Sequence, residues 1–462
     1  MDLNLVLEMV SQGDDRPVVV VGEESLTPAG LRSAACGLAK RVLDGGHDCV
    51  IYLGGNSVRF PVSLFGAARA GVPFIPLNYR LSPAQLESLL AAHPLALRVD
   101  DSLAVAELEG DLDAPDDLED EVAVYLYTSG TTAAPKAAIL RHRHLIAYLF
   151  ATIDFGSAEE HEAALVTVPP YHVAGLTNLL SNLYAGRRIV YLDSFTAEQW
   201  LSTCRAHAVT QAMVVPTMLA RIVDALDGDS EPAPALRSLS YGGARMPQPV
   251  LERALAHFCD TAFVNAYGLT ETSSTIALLG PDEHRAGKHL GSVGQLLPGI
   301  ELEVRTEDGA VLAPGEVGLV FLRGEQVSGE YKGSSLLDGE GWFATRDRGW
   351  LTEDGYLYIE GRADDTIIRG GENIAPAEIE DVLLEHPAVT DVVVVGMPDD
   401  EWGQRIAAVV VAEAVTEDEL KAWVKERLRS SKTPDRVEFR TELPRTDTGK
   451  LLRRTVLEEL IS

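Results

Sequence analysis

The sequence predicts an α/β protein with a large N-terminal domain, part of it β-rich, followed by a small α+β C-terminal domain. Three features carry this expectation. Short β-rich runs alternate with amphipathic helical stretches through about the first 300 residues, the rhythm of layered and substantially parallel sheets. After about Gly291 short strands punctuated by glycine dominate, as in antiparallel hairpins. The last hundred or so residues resume an α+β rhythm of their own, enough for a small domain with its own core. A chain of 462 residues is also too long for a single core.

The elements follow in order. Asp48-Cys-Val-Ile-Tyr-Leu53 reads as a strand, followed by a Gly-Gly-Asn turn and a helix over residues 60–70. Ala114-Pro-Asp-Asp-Leu-Glu-Asp-Glu121 is acidic and poor in apolar residues, which predicts a surface connection. Val122-Ala-Val-Tyr-Leu126 is strand-like, and residues 137–145 read as a helix. Strands over 188–192 and 212–216 each precede a helix, the first containing Trp200 and the second spanning 218–226. Short strands follow at 300–304, 318–322 and 355–359. Beyond Gly361-Arg-Ala-Asp-Asp365 the pattern predicts a helix over 376–384, strands over 391–395 and 406–412, and a helix over 417–428. The expected division is therefore 1–361, a hinge at 362–365, and 366–462.

Composition narrows the function classes. A net charge of −31 repels nucleic acid and anionic lipid, so an anionic ligand must be held by local donors and cations against the global field. No apolar stretch approaches the roughly 18 residues of a membrane span, so integral membrane association is not expected. The N-terminus lacks the basic start and apolar segment of a secretory signal. Cys36, Cys49, Cys204 and Cys259 lie far apart, which disfavours disulfides or a zinc site and fits a cytoplasmic protein.

One loop raises the question of function. Thr128-Ser-Gly-Thr-Thr-Ala-Ala-Pro-Lys136 offers backbone N–H groups, hydroxyls and a lysine to an anion. It is not a Walker loop, because Gly130 to Lys136 lacks the second glycine and the lysine has no Ser or Thr after it. By composition alone it reads as a flexible turn. Taken with other segments, it resembles the phosphate-binding loop of the adenylate-forming superfamily of acyl-CoA synthetases, amino-acid adenylation domains and luciferases. The further matches run in the superfamily's order: Pro170-Tyr-His-Val-Ala-Gly175, Ser240-Tyr-Gly-Gly-Ala244, Asn265-Ala-Tyr-Gly-Leu-Thr-Glu-Thr272, Gly341-Trp-Phe-Ala-Thr-Arg-Asp347, Tyr358-Ile-Glu-Gly-Arg362, Gly370-Gly-Glu-Asn-Ile-Ala-Pro-Ala-Glu378 and Leu443-Pro-Arg-Thr-Asp-Thr-Gly-Lys450. The resemblance covers nearly the whole chain.

It implies ATP, Mg²⁺ and coenzyme A as ligands, and an acyl-CoA synthetase-like fold with a mobile small domain. Joining a carboxylate to AMP brings two anions together, so the site must neutralise charge rather than supply a covalent nucleophile. The resemblance assigns the β- and γ-phosphates to Thr128, Ser129, Gly130, Thr131, Thr132 and Lys136. Glu271 is assigned to magnesium and Thr270 to the α-phosphate. Gly242, Gly243 and Ala244 would line the adenine pocket, with Tyr267 stacking on the base next to Gly268. Asp347 would take the ribose, and Arg362 would add a cationic contact to the ribose or a phosphate. Lys450 would be the catalytic lysine brought in by the small domain. Asp364 marks the hinge, and Arg369, Gly370, Gly371 and Glu372 would build the pantetheine channel in a second arrangement. Each is mundane when read alone: Glu271 as a first-turn carboxylate, the glycines as turns, Lys450 as a surface lysine.

The acid would sit near Tyr171, His172, Ala174, Gly175 and Gly242. His172-Val-Ala-Gly175 carries no carboxylate to hold an α-amine, which disfavours an amino acid. His172 resembles the gate of acyl and aryl CoA ligases, and the small residues leave room for a fatty, aryl or bulky apolar acid. No carrier domain is fused to this sequence, so free coenzyme A is the expected acceptor, with a separate carrier protein as the alternative. A non-catalytic nucleotide-binding protein of this fold is a further rival. Three positions depart from the pattern: Ala133, Ala137 and Arg346 stand where the superfamily usually has glycine.

Overall fold

The computed structural model describes residues 1–13, 15–128, 136–228, 232–399, 401–446 and 449–461. Two large sheets enclose a layer of helices. The first has nine strands in the order Gln295–Leu296, Ser274–Leu279, Ala262–Leu269, Ser238–Gly242, Gln211–Val214, Ala163–Val166, Arg188–Tyr191, Val19–Val21 and Glu24–Leu26. Its six central strands run parallel and its edges antiparallel. The second has seven strands, with Val50–Leu53 between Phe74–Pro76 and Leu97–Asp100. Val50, Ile51 and Tyr52 are fully buried, as continuous apolar runs in parallel sheets are when both faces are covered.

The helices Leu3–Ser11, Pro28–Asp44, Arg59–Ala70, His142–Thr152 and Val173–Ala185 pack between the sheets in one core containing Phe60, Phe65, Phe74, Leu145, Leu176 and Tyr191. A second core around the fully buried Trp200 packs helices on the far face of the nine-stranded sheet. The β-rich portion is a four-stranded antiparallel sheet of Glu301–Arg305, Gly318–Arg323, Phe343–Leu351 and Leu357–Arg362. The C-terminal part has its own core, with Ile379, Leu383, Val394, Ile406 and Leu420 packed around the pair Val389–Asp399 and Gly403–Ala412.

One expectation is corrected. Residues 137–141 are not helical: the strand Lys136–Arg141 pairs with Val122–Thr128, and the helix begins only at His142. Ala137, Ala138, Ile139 and Leu140 are all buried, and a run buried on both faces carries no period that separates strand from helix.

Candidate active site

The C-terminal ends of the parallel strands meet the four-stranded sheet at one corner, and most of the predicted residues that the structure describes gather there. The corner is organised by a bulge. Phe321 pairs with Ala344 and Leu319 with Arg348, so Thr345, Arg346 and Asp347 together oppose the single residue Val320. Bulges of this kind re-aim side chains beside functional sites. Asp347 turns inward, only 5% exposed, while Arg346 turns outward.

Asp347 accepts hydrogen bonds from the Tyr267 hydroxyl at 2.5 Å and from Arg362 at 3.1 Å. Its own backbone N–H donates to Thr345 Oγ1 at 3.0 Å, and Arg362 also donates to the Thr345 carbonyl at 3.0 Å. Burial pushes the Asp347 carboxyl up, and Arg362 and Tyr267 oppose that push by favouring the charged form. Burial, reinforced by Asp347, also holds the Tyr267 phenol well above its ordinary range.

Glu271 lies in the short turn Thr270–Thr272 that follows the strand carrying Tyr267 and Gly268. Its carboxylate accepts a hydrogen bond from the Tyr331 hydroxyl, and its carbonyl accepts from Ser328 and Gly329 at 2.8 and 3.1 Å. Burial, then the neighbouring Glu271 charge, pushes Tyr331 up to about 12, so it donates throughout the neutral range. Tyr331 was not anticipated from the sequence. It arrives through sheet adjacency, because Tyr331 pairs with Ala138 next to the strand that holds Thr128. Among the described residues no group of three or more His, Cys, Asp or Glu converges on a point. A single carboxylate is nevertheless a sufficient protein donor for magnesium, which keeps waters and takes phosphate oxygens as its remaining ligands.

Thr128 and Lys136 face each other across an antiparallel pair, and Lys136 is exposed. Ser129, Gly130, Thr131, Thr132 and Ala133 lie outside the described residues. Ala137 does not: it is an ordinary strand residue, 6% exposed and paired with Tyr127, so alanine there meets no conformational penalty. Gly242 ends its strand where a Cβ would stand 2.3 Å from the Ala266 carbonyl oxygen, and Gly243 follows with φ +80°. Gly243 and Ala244 are exposed.

His172 precedes the helix Val173–Ala185, whose first turn holds Ala174 and the buried Gly175. Its ring lies 4.8 Å from that of the buried Tyr171, which meets Tyr79 edge-on at 5.8 Å. That helix reaches the Glu271 turn through a hydrogen bond from Thr177 Oγ1 to Ser274 Oγ at 3.0 Å.

The C-terminal part contributes Lys450, exposed and within electrostatic reach of Asp347 and Asp365. Beside it, Gly449 packs against Thr217, where a Cβ would stand 2.1 Å from the hydroxyl, so the lysine segment rests on the large domain. Arg245 and Asp381 form an ion pair across the same junction. Arg369, Gly370, Gly371 and Glu372 are not in this corner. Arg369 pairs with Asp435 at 2.8 Å and stacks over Trp402, while Gly370 and Gly371 form a turn at φ +58° and +84°.

The model of the AMP-binding enzyme family matches residues 8–115 and 96–332, and that of the AMP-binding enzyme C-terminal domain matches 378–450. A fatty acid–[acyl-carrier-protein] ligase, ScoC, from Streptomyces coeruleorubidus is 34% identical over 447 residues, 88% of this chain and 86% of its own. A feruloyl-CoA synthase from Amycolatopsis sp is also 34% identical, over 94% of this chain and 93% of its own. The o-succinylbenzoate CoA synthetase MenE of Bacillus subtilis, solved with its acyl-adenylate intermediate, superposes with a TM-score of 0.86 at 28% identity over 98% of this chain and 97% of its own. The same enzyme has been solved with ATP and a magnesium ion, with a TM-score of 0.84 at 28% identity over 97% of this chain and 98% of its own. Among the described residues no helix is long and apolar enough to cross a membrane.

Proposed function

We propose that this chain, which belongs to the AMP-binding enzyme family of the adenylate-forming superfamily, is an ATP-dependent acid:CoA ligase. In the first step a carboxylate oxygen attacks the α-phosphorus of ATP. The new O–P bond forms as the bond to pyrophosphate breaks, leaving an acyl-adenylate. In the second step the thiol of coenzyme A, losing its proton, attacks the acyl carbon and AMP leaves with the bonding pair.

The observation that carries this reading is the convergence of Asp347, Tyr267 and Arg362 with Glu271–Tyr331 and Lys450 at one corner. Asp347 suits a ribose because a carboxylate can accept from both sugar hydroxyls. Glu271, fixed by Tyr331, would hold a magnesium ion together with phosphate oxygens, and the ion would offset the charge gathered on them. Thr270 would touch the α-phosphate, and Thr128 and Lys136 the terminal ones. Gly242, Gly243 and Ala244 would face the adenine. Lys450 would stabilise the charge that builds at the α-phosphate. For thioester formation the small domain would turn about Asp364, bringing Arg369 to Glu372 to the pantetheine arm. The absence of a carboxylate in His172–Gly175 supports an acid without an α-amine.

A carrier protein as acceptor is the second reading, favoured by the named activity of the Streptomyces relative. One screen separates the readings: pyrophosphate release over a panel of fatty and aryl acids, followed by acyl transfer to free coenzyme A or to a phosphopantetheinylated carrier protein. Acyl-CoA as the product supports the ligase reading. Transfer to the carrier protein alone favours the second, and no pyrophosphate from any acid overturns both.

A further inference from the structure

Arg346 is the largest side chain among the residues that take the left-handed backbone without being glycine, at φ +64°. That conformation is strained for a residue with a Cβ and persists only where the surrounding structure fixes it. The bulge explains the geometry. With Asp347 turned inward, the backbone reverses at 346 and sends the guanidinium outward, 4.0 Å from Asp364. It also lies within electrostatic reach of Tyr331, the partner of Glu271.

Asp364 and Asp365 are adjacent but face opposite bodies. Asp364 approaches Arg346, on the strand Phe343–Leu351 of the large domain. Asp365 lies 3.6 Å from Arg453, on the helix Arg453–Ile461 of the small domain. Arg453 is fixed within that domain by Glu380 and by the Val394 carbonyl at 2.8 Å. When the junction turns, Asp365 therefore travels with the small domain while the contact of Asp364 to Arg346 must break. A cavity of about 220 Å³ lined by Arg348, Glu360, Thr366 and Asn373 lies along the same junction.

We propose that Arg346 is a positioning residue that anchors the hinge to the large domain through Asp364 and biases the chain toward the arrangement in which the Lys450 segment rests on Thr217. The pair is solvent-exposed, and exposed pairs contribute about 0.2–1 kcal/mol, a bias of roughly 1.4- to fivefold. A bias of that size favours the adenylating arrangement without locking out the second. The purpose of the bias rests on the two-step reading above, but its test does not.

Trypsin cleavage after Arg362 or Arg369 under native conditions, with fragments identified by mass, reports how often the junction opens. Arg346→Gln should raise the cleavage rate roughly 1.4- to fivefold, and Arg346→Lys, which keeps the charge, should stay near wild type. About 0.5 M salt should bring wild type up toward Arg346→Gln by screening the pair. An Arg346→Gln rate equal to wild type overturns the proposal. So does an Arg346→Lys rate equal to that of Arg346→Gln, which would assign the effect to side-chain shape. Because the assay uses no acid, faster cleavage in Arg346→Gln stands even if no acid yields pyrophosphate; that outcome overturns only the ligase reading.

Discussion

Asp347 and Arg346 are neighbours in sequence and occupy opposite environments. Asp347 is buried, with its carboxylate oxygens taken by Tyr267 and Arg362. Arg346 is exposed and meets Asp364 only at 4.0 Å. One bulge produces both, and the difference suits the two tasks proposed for them. Recognition needs groups fixed before the ligand arrives, in a low dielectric where each hydrogen bond counts fully. A hinge needs contacts weak enough to break on every turnover, and exposed ion pairs have that strength.

The largest effect is expected at the buried end. Asp347→Asn keeps the shape and removes the charge. It should raise KM for ATP roughly 10- to 100-fold, the worth of a hydrogen bond to a charged group. Burial holds the Asp347 carboxyl above its ordinary range, so the folded chain carries the charge less readily than the unfolded one. The variant should therefore melt no lower than wild type. A large drop in Tm with unchanged KM would make Asp347 a structural residue.

Tyr331→Phe comes next. It removes the hydroxyl on Glu271 and leaves the ring, so kcat/KM for ATP should fall about three- to tenfold, with the magnesium dependence moved to higher concentration. An unchanged magnesium titration would detach Tyr331 from the metal position.

The smallest effect belongs to Asp381, which faces Arg245 across the domain junction. Burial lifts its carboxyl from 3.8 to about 6, with Arg245 opposing the rise. A raised carboxyl contributes stability that is complete below about pH 4 and is lost as the pH climbs through 6. Asp381→Asn removes that loss. The Tm of the variant minus that of wild type should be larger at pH 7.5 than at pH 5, by about 1–2 °C. A difference independent of pH, read by thermal unfolding at both values, would contradict the assignment.

The sequence was legible where one local rule decided the outcome. The helix Pro376–Leu384 has the bounds that its pattern predicts, with proline at the first helical position. The buried strand Val50–Leu53 and the antiparallel strand Gly318–Arg323 were equally plain. Residues 137–141 were misread because four consecutive buried residues have no polar face to reveal their period. Tyr331 was invisible because its partner Glu271 lies 60 residues away and only the seven-stranded sheet brings the two together. Arg346 stood out as a cation in a glycine's place, but its direction depended on the bulge at 345–347, which pattern reading does not anticipate. Lys450 drew its meaning from resemblance alone, since an exposed lysine in a turn has no local signature.

This corner is proposed to adenylate a carboxylic acid, with Lys450 serving that step alone. The direct test uses an acid that releases pyrophosphate with wild type and assays Lys450→Ala in each half-reaction separately. Pyrophosphate release should fall roughly 10²- to 10³-fold, the usual loss for one charge-stabilising donor, while transfer from supplied acyl-adenylate to coenzyme A stays within about twofold of wild type. Equal loss in both half-reactions, or undiminished pyrophosphate release, would contradict it.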